Sequence, residues 1–178
     1  MSENILLVGS GAREHSIAKA INRSTNLNDM FCLASNINPG IASLCKEFIV
    51  DDFNNPETVS SYATKNNISM AVIGPENPLQ NGVVDSLWNL GVGVVGPKKD
   101  LAQIETSKTF TRNLLKKHNI PGGPKYKTFK SLDGVKDFLK ELDENYVVKF
   151  DGLAGGKGVK VSGDHLASHK EALEYCKE

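Results

Sequence analysis

The tightest constraint on how this chain folds is its alternation of short, wholly apolar runs with segments of helical periodicity. Ile5-Leu6-Leu7-Val8, Met30-Phe31-Cys32-Leu33-Ala34, Phe48-Ile49-Val50, Met70-Ala71-Val72-Ile73 and Val92-Gly93-Val94-Val95 are all of strand length. Between them, residues 13–23, 56–66 and 78–90 place apolar side chains at helical spacing, for example Leu79, Val83, Val84, Leu87 and Leu90 in the last segment. Asn55-Pro56-Glu57 is a helix-start signal, and Gly91 suits a helix end. A strand that is apolar at every position is covered on both faces, which requires a parallel sheet with helices on either side. Residues 1 to about 100 are therefore expected to form an α/β fold, an open doubly wound parallel sheet.

The pattern then changes. Helical segments are expected near 98–105 and 107–118, and Ile120-Pro121-Gly122-Gly123-Pro124 breaks the chain. Beyond the break come a strand near 125–129, a helix over 131–142, a strand over 146–150, a glycine-rich segment over 151–158, a short strand over 159–161 and a helix from about 165 to the end. This predicts a domain over 1–105, a helical linker over 106–123 and a small α+β region over 124–178.

Composition narrows the partners. Lys+Arg and Asp+Glu both number 21, so there is no bulk charge to attract nucleic acid or an anionic membrane. Cys32, Cys45 and Cys176 fit no metal-ligand spacing, and reduced thiols suit a reducing compartment. The start of the chain lacks a basic segment followed by a long apolar one, and no apolar run approaches membrane-spanning length. A cytoplasmic setting is expected. His165 and His169, four apart, could share a helix face but have no accompanying ligands, so no metal site is expected within the chain.

Three groups of residues carry chemistry. Gly9-Ser10-Gly11-Ala12-Arg13-Glu14-His15 follows a strand and opens a helix, where backbone N–H groups can receive an anion. Glu14 stands where a dinucleotide fingerprint needs its third glycine, so NAD binding is disfavoured. Arg13 opposes the helix dipole, which is cheap only if an anion lies nearby: a ligand phosphate, or Glu14 itself. Asn38-Pro39-Gly40 and Gly74-Pro75-Glu76-Asn77-Pro78 also follow strands, at the edge where open α/β sheets bind ligands. Glu76 is placed to accept ribose hydroxyls or simply to favour a helix start. Lys108 repeats the logic of Arg13 at a second helix start. Finally, a strand delivers Lys149, and Gly152, Gly155, Gly156 and Gly158 then surround Lys157, a loop able to fold over a triphosphate. Its spacing is not that of a Walker A loop.

Taken in order, Gly9 to His15, Asn38-Pro39-Gly40, Gly74 to Leu79 with Gly82-Val83-Val84-Asp85, Ser107-Lys108 and Lys149 to Val159 resemble phosphoribosylamine–glycine ligases (glycinamide ribonucleotide synthetases) of the ATP-grasp superfamily. Ala12, Gly155 and Asn77 depart from residues frequent in that family, without removing a charge or a needed glycine. The resemblance implies that 1–105 is the substrate-binding domain preceding an ATP-grasp fold, and that 124–178 is that fold's first subdomain, truncated. It implies ligation of glycine to 5-phosphoribosylamine at the expense of ATP, in purine biosynthesis, with Mg²⁺ held by residues downstream of this chain. By motif, Lys108, Lys149, Gly152, Gly155, Gly156, Lys157 and Gly158 would contact ATP, and Gly11, Arg13, Glu14, Asn38, Gly40 and Glu76 the phosphoribosyl group. The expected partners are small molecules, and the chain alone is expected to be inactive. A stand-alone phosphoribosyl-binding module, or half of a split ligase with a complementary chain, is the alternative.

Overall fold

Strand β1 (Glu3–Val8) is the hub of the first part of the computed structural model, which describes residues 2–177. It pairs in parallel with β2 (Leu27–Ala34) on one side and β4 (Met70–Ile73) on the other, with Ile5 in register with both Met30 and Met70. With β3 (Glu47–Val50) and β5 (Gly93–Val95) outside them, the sheet order is β3-β2-β1-β4-β5. The chain therefore winds outward from β1 through β2 and β3, then restarts on the other side with β4. The winding reverses between β1 and β4, and such a reversal opens a crevice at the carboxyl ends of the strands.

Strand alternation explains why β1 is apolar throughout. Leu6 and Val8 join Val59 and Tyr62 of α3 (Pro56–Lys65) and Val83, Val84 and Leu87 of α5 (Val83–Asn89) in one buried cluster. Leu7 faces the opposite way, into a cluster with Ala18 of α1 (Ala12–Ile21), Ile41 of α2 (Pro39–Ala42), Met30 and the fully buried Cys32. Both faces are covered, as the doubly wound reading requires.

The details depart from expectation where glycine and capping decide. The single helix expected over 78–90 is two, α4 (Glu76–Asn81) and α5, because Gly82 adopts φ +88 and ends one helix while starting the next. The short α2 was not foreseen; Asn38 caps it by accepting from the Gly40 and Ile41 N–H groups.

The chain divides into compact units Met1–Gln103 and Ile104–Glu178, with α6 (Lys99–Thr106) running across the division. In the second unit, α7 (Lys108–Lys117) occupies much of the segment expected as a linker. A small core of Val135 and Leu139 from α8 (Val135–Leu142), Tyr146, Leu166 and Ala172 from α9 (His169–Tyr175) backs the hairpin of β6 (Val147–Lys149) and β7 (Val159–Val161). The strand expected near 125–129 does not form. Among the described residues β6 and β7 pair only with each other, so that segment has no ladder to join. The helix expected from 131 begins at Val135, after Gly134 at φ +77. The last helix begins at His169, capped by Ser168, so His165 precedes it and the two histidines share no helix face. Among the described residues no helix is long and apolar enough to cross a membrane.

One carboxylate organises the start of α7. Asp151 accepts from the Thr109 N–H at 3.2 Å and from the Ser107 hydroxyl at 3.3 Å, and Ser107 in turn caps the helix by accepting from the Phe110 N–H. What burial Asp151 has works against its charge, but hydrogen bonds from Thr109, the Lys108 backbone and Ser107 outweigh it and hold the carboxyl below the usual range.

Two outcomes follow. Leu6→Ala, at a position with no exposure, should cost about 2–5 kcal/mol in urea unfolding; a loss below about 1 kcal/mol would contradict the packing of the central strand. Asp151 is depressed in the folded state, so its stabilisation is complete above the unfolded-state pKa and disappears as pH falls through the folded-state value. Asp151→Ala should therefore lower stability at neutral pH by about 1 kcal/mol, a usual cost of losing a helix cap, and flatten the acid limb of the stability–pH curve. An unchanged acid limb would sink this assignment.

Candidate functional site

In the first unit the candidate residues collect at the carboxyl ends of β1, β2 and β4, around the reversal of winding. Asn38 ties two of these loops together: its Oδ1 caps α2, and its Nδ2 donates to the Ser10 carbonyl at 2.9 Å. Gly40 is required by His15, whose ring occupies the space that a Cβ at position 40 would need. His15 was not among the residues singled out from sequence.

Glu14 holds the centre. It is one of two buried polar or charged residues among those described, with 4% relative exposure. Its Oε2 accepts from the Gly11 N–H at 2.6 Å, and its Oε1 lies 3.3 Å from Arg13 Nε. A Cβ at Gly11 would stand 2.6 Å from Oε2, and one at Gly74 would collide with Oε1. The glycines of the β1 and β4 loops thus make room for this carboxylate. The anion demanded by Arg13 at a helix start is, in the first instance, Glu14. The Arg13 side chain remains 70% exposed, free to meet a ligand as well. Glu76, half-buried in the first turn of α4, makes no side-chain hydrogen bond or ion pair among the described residues and leaves its carboxylate available as an acceptor.

The second unit holds the other candidates. Phe150 N–H donates to the Gly158 carbonyl at 2.8 Å and closes a loop over 151–157 between β6 and β7. Gly155 and Gly156 adopt φ +52 and +79, with open space where a Cβ would be, so the backbone conformation alone calls for glycine there. Gly158 is different: a Cβ would lie 2.7 Å from that of Ala154. Lys108 Nζ donates to the Gly152 carbonyl at 2.8 Å and so reaches the loop, while Lys149 and Lys157 are exposed and form no ion pair among the described residues. Here too the helix-start anion is internal, namely Asp151, another residue not singled out from sequence. The structure brings Lys108 to the start of the loop, whereas Lys149 and Lys157 lie at the strand before it and within it.

Among the described residues no group of three or more His, Cys, Asp or Glu could hold a metal ion. All three cysteines are free thiols.

Comparison with known proteins fits this layout. Residues 3–105 match the phosphoribosylglycinamide synthetase N domain, and residues 106–178 match the ATP-grasp (A) domain of the same synthetase. The phosphoribosylamine–glycine ligase of Methanosphaera stadtmanae is 49% identical over 98% of this chain, which spans 39% of that relative. The ligase of Methanocaldococcus jannaschii is 47% identical over 98% of the chain and 40% of its own length. The chain thus spans about two fifths of the curated relatives it matches. Among solved structures, the phosphoribosylamine–glycine ligase of Thermotoga maritima superposes with a TM-score of 0.72 at 24% identity, over 96% of this chain and 38% of that one. The biotin carboxylase domain of Hydrogenobacter thermophilus 2-oxoglutarate carboxylase, solved with MgADP, superposes with a TM-score of 0.79 at 14% identity, over 99% of this chain and 40% of that one; the likeness is one of fold. On the two family matches, which together run from residue 3 to residue 178, the chain belongs to the phosphoribosylglycinamide synthetase family.

Proposed function

We propose that this chain supplies the phosphoribosyl-binding domain and the phosphate-covering loop of an ATP-dependent phosphoribosylamine–glycine ligase acting in purine biosynthesis in the cytoplasm. The observation that carries the proposal is that each unit holds its own candidate anion-receiving segment, one at the β1–β4 winding reversal and one in the β6–β7 loop, in a chain matched from residue 3 to residue 178 by two domains of that family.

In the reaction, the glycine carboxylate takes the terminal phosphoryl group of ATP, giving glycyl phosphate and ADP. The amine of 5-phosphoribosylamine then attacks the acyl carbon. The C–N bond forms, inorganic phosphate leaves, and the amine loses its proton. The residues of this chain bind and orient. Gly11, Arg13, Asn38 and Gly40 border the phosphoribosyl phosphate, and Glu76 accepts from ribose hydroxyls. Glu14, assigned to the same set from its motif, lies beneath them.

Residues Lys108, Lys149, Gly152, Gly155, Gly156, Lys157 and Gly158 receive the phosphates of ATP. Two observations support a fit to such a group: the open, positive-φ backbone at Gly155 and Gly156, and the free cations of Lys149 and Lys157 beside it. Mg²⁺ accompanies ATP in the proposal, but this chain offers no metal-ligand cluster among its described residues. Its ligands would come from elsewhere in the ligase. We infer the same division of labour along the chain: 1–105 binds substrate, 106–123 links, and 124–178 forms the first ATP-grasp subdomain. The chain by itself is proposed to be inactive.

Steady-state kinetics of the ligase containing this chain test the two-sided assignment. Removing a charge-assisted hydrogen bond is worth about 1.5–3 kcal/mol, roughly tenfold or more in affinity. Lys157→Ala should raise the KM for ATP by that factor and leave the KM for phosphoribosylamine within about twofold. Arg13→Ala should do the reverse. Equal effects of both variants on both substrates would refute the assignment. Release of phosphate dependent on ATP, glycine and phosphoribosylamine by the 178-residue chain alone would refute its inactivity.

A further inference from the structure

We propose that Glu14 is a positioning residue whose buried carboxylate fills the crevice between the β1 and β4 loops and sets the surface on which the phosphoribosyl group lies. This inference rests on the phosphoribosyl reading of the site and changes the role of one residue within it.

A winding reversal leaves a gap between the first turn of α1 and the loop after β4, and ligands of open α/β sheets enter there. In this chain that gap is already occupied. Glu14 Cγ lies 3.0 Å from where a Cβ on Gly9 would stand, Oε2 lies 2.6 Å from one on Gly11, and Oε1 blocks one on Gly74. With only 4% of its surface exposed, Glu14 has little left to offer a ligand.

A buried carboxylate is tolerated only when its oxygens are satisfied. Oε2 takes the Gly11 N–H, and Oε1 takes Arg13 Nε. The first bond is a helix-capping interaction in which Glu14, at the third position of α1, reaches back to the residue before the helix. It removes Gly11 from the N–H groups available to an anion. The first-turn N–H groups of Ala12 and Arg13, which have no acceptor within the helix, are left to receive one. Glu14 also holds Arg13 by one nitrogen, while the rest of that side chain stays exposed. The carboxylate thus orients Arg13, fixes the β1 loop and spaces it from Gly74, two residues before Glu76.

The test uses the 178-residue chain with ribose 5-phosphate as probe, well below its melting temperature, where a change in stability alone leaves the dissociation constant unchanged. Glu14→Ala should weaken binding at least tenfold. Glu14→Gln, which keeps an oxygen for the Gly11 N–H, should recover part of that loss. Gly74→Ala should also weaken binding at least tenfold in the parent chain but less than twofold in Glu14→Ala, because the clash is with Glu14. Amide exchange of Gly11 should quicken in Glu14→Ala. Faster Gly11 exchange with unchanged affinity would overturn the positioning role, as would equal effects of Gly74→Ala in both backgrounds. If the parent chain fails to bind ribose 5-phosphate while Gly11 is protected and released by Glu14→Ala, the phosphoribosyl reading falls and the hold of Glu14 on the loop stands.

Discussion

The hydrogen bond from the Gly11 N–H to the buried Glu14 carboxylate is the contact on which the candidate site of the first unit depends. It lies where the sheet changes its direction of winding, between β1 and β4. The apolar clusters on both faces fix β1 and β4, and the loops leaving those strands could then close on one another or stay apart. Glu14 decides the spacing. The small residues around it, Gly9, Gly11 and Gly74, are the complement of its shape. Asn38 and His15 extend the same arrangement to the β2 loop, one by hydrogen bonding to Ser10 and the other by packing on Gly40.

The second unit uses the same device at a different helix. Asp151, at the entrance of the glycine-rich loop, sits at the start of α7, and Lys108 in the first turn reaches the Gly152 carbonyl. In both places a cation that would oppose the helix dipole is accompanied by a carboxylate from the chain itself. An internal anion of this kind preorganises the backbone, which would lower the ordering cost of binding the phosphates proposed for these segments. Arg13 on one unit and Lys149 and Lys157 on the other stay exposed, as the proposed phosphate contacts require.

Much of this was readable from sequence because it rests on strong local signals. Four-residue apolar runs such as Leu6 to Val8 with their neighbour Ile5 can only be strands covered twice, and the order of the glycine motifs gave the family. What failed to show in the sequence has a common cause. The strand expected near 125–129 has the right composition but no neighbour to pair with, and pairing is a property of the fold. The break at Gly82 is a backbone conformation inside an otherwise uniform apolar pattern. The burial of Glu14 was the largest surprise: an acid beside an arginine in a polar motif reads as a surface pair or a ligand contact. Its spacing of three from Gly11 is that of the acid in a capping box, of which glycine, with no side-chain acceptor, leaves only the bond from its own N–H to Glu14, and that was the available clue. Asp151 and His15 act on residues distant in sequence or on a backbone atom, and neither spacing nor residue type announces such contacts.

A crystal structure of the chain with ribose 5-phosphate bound tests the central claim most directly. The phosphate is expected against the N–H groups of Ala12 and Arg13, the ribose hydroxyls toward Glu76, and the Glu14 carboxylate still bonded to the Gly11 N–H. A phosphate seated between Gly11 and Gly74, with Glu14 swung out of the crevice, would contradict it.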